Sequence, residues 1–164
     1  MPPSALPPVD DSPLARILAL YADYALCLDE RRFDEWPGFF TADCVYEVQS
    51  RENRELDLPG ALIYCDSHGM LEDRVAVLKD TLTYPYLHIR HLIANVRVHG
   101  VADGAYLATA SYLVLHSTEE GETRIYSTGR YDDEIVPEAA GLRFRKKLVT
   151  ADTFAIDNLL AVPL

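Results

Sequence analysis

The hydrophobic residues near the start of the chain recur at helical spacing. Ser12 is a favourable N-cap, Pro13 suits the first helical position, and apolar side chains follow every three or four residues: Leu14, Ile17, Leu18, Tyr21, Tyr24, Ala25 and Leu28. Arg31 and Arg32 then suit the negative end of a helix dipole. The pattern therefore predicts a helix over about 13–31.

The rest of the chain predicts short elements first and long strands last. In chain order these are a short helix over Phe33–Phe40, a strand over Cys44–Gln49, a charged irregular segment over Arg51–Asp57, a short strand over Leu62–Cys65, a helix capped by Ser67 with Leu71, Val75 and Leu78 on one face, and four strands over roughly 87–99, 105–117, 122–136 and 142–155. Turn residues with glycine separate the four strands, which indicates antiparallel neighbours. Helices followed by such a sheet predict an α+β fold.

That order of elements resembles the nuclear transport factor 2-like cone, in which a curved antiparallel or mixed sheet wraps around about three helices. The chain of 164 residues has the length of one domain and no internal repeat. Four prolines at positions 2, 3, 7 and 8 predict an extended or disordered arm over residues 1–12. Residues 13–164 are then expected to form a single cone-fold domain.

Charge and cysteine content narrow the class of protein. Lys plus Arg is 15 and Asp plus Glu is 26, so the net charge of −11 argues against nucleic acid or an anionic membrane as partner. Cys27, Cys44 and Cys65 are too few for a disulfide framework or a four-cysteine zinc site, and are expected to be buried, reduced thiols. The sequence predicts no membrane span and no signal peptide, which favours the cytoplasm.

Histidine spacing offers a weak case for a metal site. His88 and His91 form an H-x-x-H pair, but the flanking residues predict a strand, on which side chains three apart point to opposite faces. One histidine is therefore expected in the core and the other in solvent. His91 and His99 are predicted to share a face, but eight residues of strand place them about 26 Å apart. No metal site is expected.

A second candidate for chemistry is a pocket inside the cone. Tyr21, Tyr24, Asp43 and His91 could line it, with Asp43 or His91 as a general base beside tyrosine hydroxyl donors. The competing interpretation is that Asp43 is a turn residue before a strand, and that the tyrosines pack in the core with satisfied hydroxyls.

Strand composition also predicts a subunit contact. The strand over 105–117 is largely apolar on both faces, so a partner is expected to cover one of them. Apolar residues near the C-terminal end are predicted to dock on another chain, with folding back onto the chain's own core as the alternative: Leu159, Leu160, Val162 and Leu164. Arg143, Arg145 and Lys147, beside Lys146, are predicted to form a basic stripe at a contact or solvated edge, and Gly129 a bulge or bend.

Several segments together resemble the small, or beta, subunit of aromatic-ring-hydroxylating dioxygenases, which are Rieske non-haem iron oxygenases. The segments that carry the resemblance are Trp36–Tyr46, Arg51–Asn53, Met70–Val75, Arg90–Asn95, Gly129–Tyr131 and Asp157–Leu164. Among members of that family, the chain is most similar to the small subunits of terephthalate dioxygenase and salicylate hydroxylase systems, which act on monocyclic aromatic acids.

The resemblance implies a non-catalytic subunit of an oxidoreductase. Its partners would be a catalytic alpha subunit and other beta subunits, in an α3β3 hexamer, served indirectly by reductase or ferredoxin components that draw on NADH. The Rieske [2Fe-2S] cluster and mononuclear Fe(II) would lie in the alpha subunit. This chain lacks the C-x-H…C-x-x-H pattern, so no catalytic, cofactor-binding or metal-binding residue is expected in it. The alternatives are a free-standing cone-fold isomerase, dehydratase or cyclase, and a binding module without chemistry.

Overall fold

The computed structural model describes residues 11–81, 88–152 and 162–164. Its helices are α1 (Pro13–Asp29), a 3₁₀ helix (Phe33–Phe39), α2 (Arg51–Glu55) and α3 (His68–Thr81), and its strands are β1 (Phe40–Ser50), β2 (Ile63–Cys65), β3 (His88–Ala102), β4 (Ala105–Ser117), β5 (Thr123–Glu138) and β6 (Gly141–Ala151). Most of the predicted arm, the predicted strand over 153–155, Leu159 and Leu160 lie outside the described residues.

The six strands form one mixed sheet in the order β2-β1-β6-β5-β4-β3. Strands β3 to β6 are consecutive antiparallel neighbours, as their short turns predict. The last strand, β6, also pairs in parallel with the first strand, β1. Strand β4 alternates as expected: Tyr112 and Val114 are buried on the inner face, while Leu113 and Leu115 are half-buried on the outer face. The predicted α+β architecture with helices on one face of a mixed sheet is confirmed.

Helix α1 begins where its capping residues predict. The Ala15 backbone N–H donates to the Ser12 hydroxyl at 3.2 Å, and Pro13 occupies the first helical position. The helix ends at Asp29, two residues before the predicted end, because Arg31 adopts a left-handed backbone with φ 59°. Within the described ranges, no helix is long and apolar enough to cross a membrane.

The prediction that the charged segment Arg51–Asp57 is irregular is wrong. Residues Arg51–Glu55 form the short helix α2. None of its residues is buried, so the helix has no apolar periodicity from which it could be predicted. Its cap explains the turn: the Asn53 backbone N–H donates to the Ser50 hydroxyl at 3.2 Å. Arg51 and Glu55 then lie 3.6 Å apart across one helical turn.

The prediction that His91 and His99 share a face is also wrong. The pairing of β3 with β4 shifts between Ala94 and Arg97, and Asn95 takes a left-handed backbone with φ 54°. This bulge inserts an extra residue, so the side chains from Arg97 to His99 point to the opposite faces from those that strict alternation gives, until a second shift between Val98 and Gly100 restores the alternation. His91 is consequently buried, while His99 is exposed and its Nε2 lies 2.8 Å from the Thr109 hydroxyl.

The core is aromatic, and the end of the chain lies in it. Tyr24 and Tyr46 pack edge-to-face on Phe40 and are fully buried. The Tyr24 hydroxyl donates to the Leu164 carbonyl oxygen at 2.8 Å, and the Leu164 N–H donates to the Tyr46 hydroxyl at 2.9 Å. Val162 and Leu164 are buried against their own chain, so for these two residues the predicted docking on a partner is wrong.

Gly129 is required for close packing rather than for a bulge. The register of β5 with both neighbours is regular at Gly129, which lies opposite Tyr112 and Ala151. A Cβ atom built on Gly129 would lie 2.0 Å from the Thr150 carbonyl oxygen and 2.9 Å from a ring carbon of Tyr112. The predicted bulge is therefore absent at this residue, and the backbone of β6 occupies the space that a side chain would need.

Candidate functional site

The inner face of the sheet holds a buried polar cluster, defined here as Tyr21, Tyr131, Asp133 and Lys147. Helix α1 supplies Tyr21, and the adjacent strands β5 and β6 supply the other three. The Tyr21 hydroxyl donates to Asp133 Oδ2 at 2.6 Å, and Lys147 Nζ donates to the same oxygen at 3.1 Å. The side chains of Asp133 and Lys147 have no solvent exposure.

Aromatic rings surround the ammonium group of this cluster. Lys147 Nζ lies 3.3 Å from the centroid of the Tyr131 ring, 4.6 Å from that of Phe144 and 4.9 Å from that of Tyr24. The negative faces of aromatic rings attract a cation, and the attraction increases when water is excluded. The rings and Asp133 thus compensate for part of the cost of burying the charge.

Burial dominates the protonation behaviour of this pair. Loss of solvation lowers the pKa of Lys147 to about 8, although Asp133 acts in the opposite direction. Loss of solvation also raises the pKa of the Asp133 carboxyl, against the effects of Lys147 and the Tyr21 hydroxyl. Perturbed groups of this kind occur at active sites, but a nucleophile or base must reach its substrate. Enclosure of Lys147 by ring faces argues for a structural role.

A second buried pair joins α1 to the edge strand β3. Asp29 Oδ1 lies 2.7 Å from His91 Nδ1 and accepts from the His91 backbone N–H at 2.9 Å. The side chains of His91 and Asp29 are 0% and 3% exposed. Arg90, which is largely exposed, reaches Asp29 Oδ2 at 3.5 Å. The carboxylate therefore fixes the position of β3 relative to the end of α1.

The structure does not assemble the predicted pocket. Tyr21 and Tyr24 lie in the core with bonded hydroxyls, as the competing interpretation predicts, and His91 is held by Asp29. Asp43 is exposed within β1, at the irregularity in its pairing with β6, and not in a turn before the strand. The prediction that these four residues share a pocket is wrong because Asp43 does not face the interior.

Metal ligands are not brought together in the described ranges. His88 is exposed and His91 is buried, so their predicted divergence is confirmed. Among the described residues there is no group of three or more His, Cys, Asp or Glu side chains placed to hold a metal ion. The three cysteines are free and buried as expected, and burial raises the pKa of the Cys27 and Cys44 thiols to about 11.

The predicted basic stripe on β6 is only partly correct. The register of β6 with β5 shifts between Phe144 and Lys146, so Lys147 points to the interior rather than to the face of Arg143. Arg145 lies on the exterior side, where it pairs with Glu134 at 2.8 Å. A bulge of one residue thus converts an expected surface lysine into the centre of the buried cluster.

The sequence analysis missed two buried carboxylates, Asp133 and Asp29, and only the first of them had a signal in the sequence. Asp133 could have been found by alternation, because Tyr131 and Ile135 on either side of it are apolar and buried on the same face of β5. Asp29 has no such signal: it is the last residue of α1, and only the fold brings it to His91.

Comparison with known proteins assigns this architecture to a family. A profile of the ring hydroxylating beta subunit family matches residues 24–158. The chain belongs to this family. Its fold is accordingly the nuclear transport factor 2-like cone that the order of elements predicts.

Relatives of this beta subunit span nearly its whole length. It is 35% identical to the anthranilate 1,2-dioxygenase small subunit of Burkholderia cepacia, over 84% of this chain and 85% of that protein. It is 30% identical to a terephthalate 1,2-dioxygenase terminal oxygenase beta subunit of a Comamonas species, over 91% of this chain and 97% of that one. A crystal structure of a beta subunit assigned to an aromatic-ring-hydroxylating dioxygenase of Novosphingobium aromaticivorans is 40% identical, with a TM-score of 0.83, and the match covers 92% of this chain and 95% of that one.

Proposed function

We propose that this chain is the small subunit of a dioxygenase that hydroxylates a monocyclic aromatic acid, and that its role is to support assembly of the catalytic alpha subunit. The observation that carries the proposal is its similarity, over nearly the full length, to the small subunits of anthranilate and terephthalate dioxygenases. Both compounds are benzene rings that bear carboxylates. The resemblance noted in the sequence suggests terephthalate and salicylate as substrates, and the similarity to the anthranilate 1,2-dioxygenase small subunit adds anthranilate as a third candidate.

The proposed complex is an α3β3 hexamer in the cytoplasm, in which this chain contributes one cone domain over residues 13–164. The Rieske cluster and the mononuclear Fe(II) would belong to the alpha subunit, and electrons would reach them from NADH through a reductase. The described residues of this chain do not fit an iron site, because their His, Cys, Asp and Glu side chains form no ligand group. The proposal includes no catalytic, cofactor-binding or metal-binding residue in this chain.

The test is co-expression of this chain with the large subunit that carries the C-x-H…C-x-x-H pattern. The two chains should co-purify with an α3β3 mass by light scattering. With a reductase and NADH, the complex should hydroxylate at least one of anthranilate, terephthalate and salicylate, detected by chromatography of the products. Iron analysis should find metal in the complex and none in this chain purified alone.

Three results would refute the proposal. The first is a large subunit that assembles and turns over equally well without this chain. The second is about one iron per chain in the isolated small subunit. The third is that this chain alone converts a substrate of a cone-fold isomerase, dehydratase or cyclase, which would favour a free-standing enzyme of that kind.

A further inference from the structure

Helix α1 lacks a polar face. Only three of its 17 residues are charged, and one of these, Asp29, is buried against His91. The inner side of the helix is apolar and packs in the core, yet on the outer side Leu18 is 46% exposed and Leu26 is 43% exposed. A helix that is hydrophobic all round is typically covered on both sides. We call its outward apolar residues, which recur every three or four positions, the α1 surface: Ala15, Leu18, Ala19, Ala22 and Leu26.

Two opposite charges border the α1 surface. Arg16 and Asp23 are both exposed and are seven positions apart, which is about two helical turns, so they lie on the same side of the helix. Arg16 Nε lies 3.9 Å from Asp11 Oδ1, and the Asp11 side chain is 91% exposed. A pair at that distance in water contributes little to stability, so Arg16 can take another carboxylate as its partner at little cost.

The α1 surface is complementary to itself. In an antiparallel contact across a two-fold axis, residues that meet lie at equal distances along the helix on either side of the axis. An axis at the level of Leu20 brings Leu18 of each copy against Ala22 of the other. Arg16 and Asp23 also lie at nearly equal distances from that level, so the same axis brings each arginine to the aspartate of the other copy. One arrangement therefore covers the apolar residues and forms two pairs of opposite charge.

We propose that the α1 surface joins two copies of the free chain in an antiparallel pair. The same axis places Ala15 of one copy near Leu26 of the other, so the contact follows most of a helix that is about 25 Å long. Copies related by a three-fold axis meet through two different surfaces, whereas this contact uses one surface twice. The inference is therefore separate from the proposed α3β3 assembly and does not depend on the proposed function.

The balance of charge and area predicts a weak, reversible contact. Each copy carries a net charge of −11, but at physiological ionic strength repulsion between charges more than about 8 Å apart is largely screened. The two Arg16–Asp23 pairs act at contact distance and are screened less. One helix face is a small interface, and small interfaces are typical of complexes that dissociate readily. We therefore expect a dimer that forms at high concentration and separates on dilution.

Charge reversal tests this arrangement. Arg16→Glu brings a glutamate to Asp23 of the other copy, and Asp23→Arg brings an arginine to Arg16, so each variant alone has two contacts between like charges. Sedimentation equilibrium at about 1–200 μM chain measures the dissociation constant, after circular dichroism and urea unfolding have verified each fold. Each single variant should raise this constant at least about tenfold. The double variant Arg16→Glu/Asp23→Arg should restore it to within about threefold of wild type, because the same pairs form with their charges exchanged.

A mixture of the two single variants gives a sharper measurement. When Arg16→Glu meets Asp23→Arg, both contacts are between opposite charges, so the mixture should form a heterodimer with nearly wild-type affinity. Damage to the fold of either variant would not be repaired by mixing. Arg124→Glu and Glu119→Arg are the matched controls: they make the same changes of charge at exposed positions of the β4–β5 hairpin and should leave the dissociation constant unchanged.

The outcomes separate this inference from the proposed function. A wild-type chain that stays monomeric at the highest concentration would overturn the inference, and so would a dimer that neither the double variant nor the mixture restores. Unchanged self-association in Leu18→Asp, with loss of binding to the alpha subunit, would assign the α1 surface to that subunit and also overturn the inference. If the chain does not bind an alpha subunit at all, the proposed function fails while the dimer remains.

Discussion

Removal of one partner from the buried Asp133–Lys147 pair should destabilise the protein far more than removal of both charges together with the Tyr21 hydroxyl. Lys147→Met leaves Asp133 without its cation, at a site with no solvent exposure. Breaking such a pair costs about 3–5 kcal/mol, whereas replacement of both partners by apolar residues is often neutral or stabilising by about 1–4 kcal/mol. The Tyr21 hydroxyl also donates to Asp133, so Tyr21 must change as well if it is not to lose its acceptor.

The decisive comparison is between Lys147→Met and the triple variant Tyr21→Phe/Asp133→Leu/Lys147→Met. Urea unfolding measures the free energy of unfolding of each. With a denaturant slope of about 2 kcal/mol/M, the single variant should unfold at a urea concentration about 1.5–2.5 M below that of wild type. The triple variant should recover to the wild-type midpoint or exceed it. Arg145→Met breaks the partly exposed pair with Glu134 and should cost less than about 1 kcal/mol.

The pH dependence of stability provides a second measurement on the same pair. The pKa of Lys147 is about 8 in the folded chain against 10.5 in the unfolded one, so between these values the unfolded state binds more protons. Stability contributed by this group therefore rises with pH in that window, by up to about 1.4 kcal/mol per pH unit, and Lys147→Met should abolish the rise.

A triple variant that loses as much stability as the single variant would refute the reasoning, because it would mean that the cluster is net stabilising.

The remaining predictions concern strand packing, catalysis and alkaline stability. Gly129→Ala should destabilise by about 3 kcal/mol or more in urea unfolding, since its Cβ would meet the Thr150 carbonyl oxygen at 2.0 Å, whereas Gly38→Ala, with nothing within 4 Å, should not show a steric loss. His91→Ala and Asp43→Ala should leave hydroxylation by the assembled enzyme largely intact, although each should lower the free energy of unfolding by about 0.5–3 kcal/mol. A hundredfold loss of turnover in a variant that assembles normally would contradict this prediction. Burial raises the pKa of five tyrosines that would ionise in the unfolded chain: Tyr21, Tyr24, Tyr46, Tyr112 and Tyr131. The free energy of unfolding, monitored by circular dichroism, should therefore fall steeply above pH 10. An alkaline transition no steeper than that expected for one tyrosine would contradict this prediction.

Elements with strong periodicity could be predicted from the sequence, and those that depend on single-residue irregularities could not. The cap at Ser12 and the apolar spacing after it place α1 correctly, and the four long strands follow from their turns. The bulges at Asn95 and near Arg145 have no such signal, because one inserted residue changes the face of the side chains that follow it without changing composition. This is why the predicted faces of the sheet for His99 and Lys147 were wrong.

The interior of the candidate site was harder to predict than its outline. Alternation puts Asp133 on the inner face of β5, but nothing local indicates that Lys147 will be its partner, since the residues lie on different strands and the bulge intervenes. The same holds for Asp29 and His91, which are 62 positions apart in the sequence. Contacts of this kind follow from the register of the assembled sheet, which single-residue patterns do not specify.

The inner and outer faces of the sheet differ in how they could accommodate another molecule. The inner face of the sheet is occupied where a ligand would meet polar groups: Lys147 and Asp133 neutralise each other, Tyr21 completes the set, and aromatic rings enclose the ammonium group. Binding a substrate there would require separation of a buried ion pair, at a cost of several kcal/mol. On the outer face the balance is reversed, because Leu92 and Ile125 are exposed and gain stability from burial. The cost of separating the Asp133–Lys147 pair therefore argues against ligand binding at the cluster.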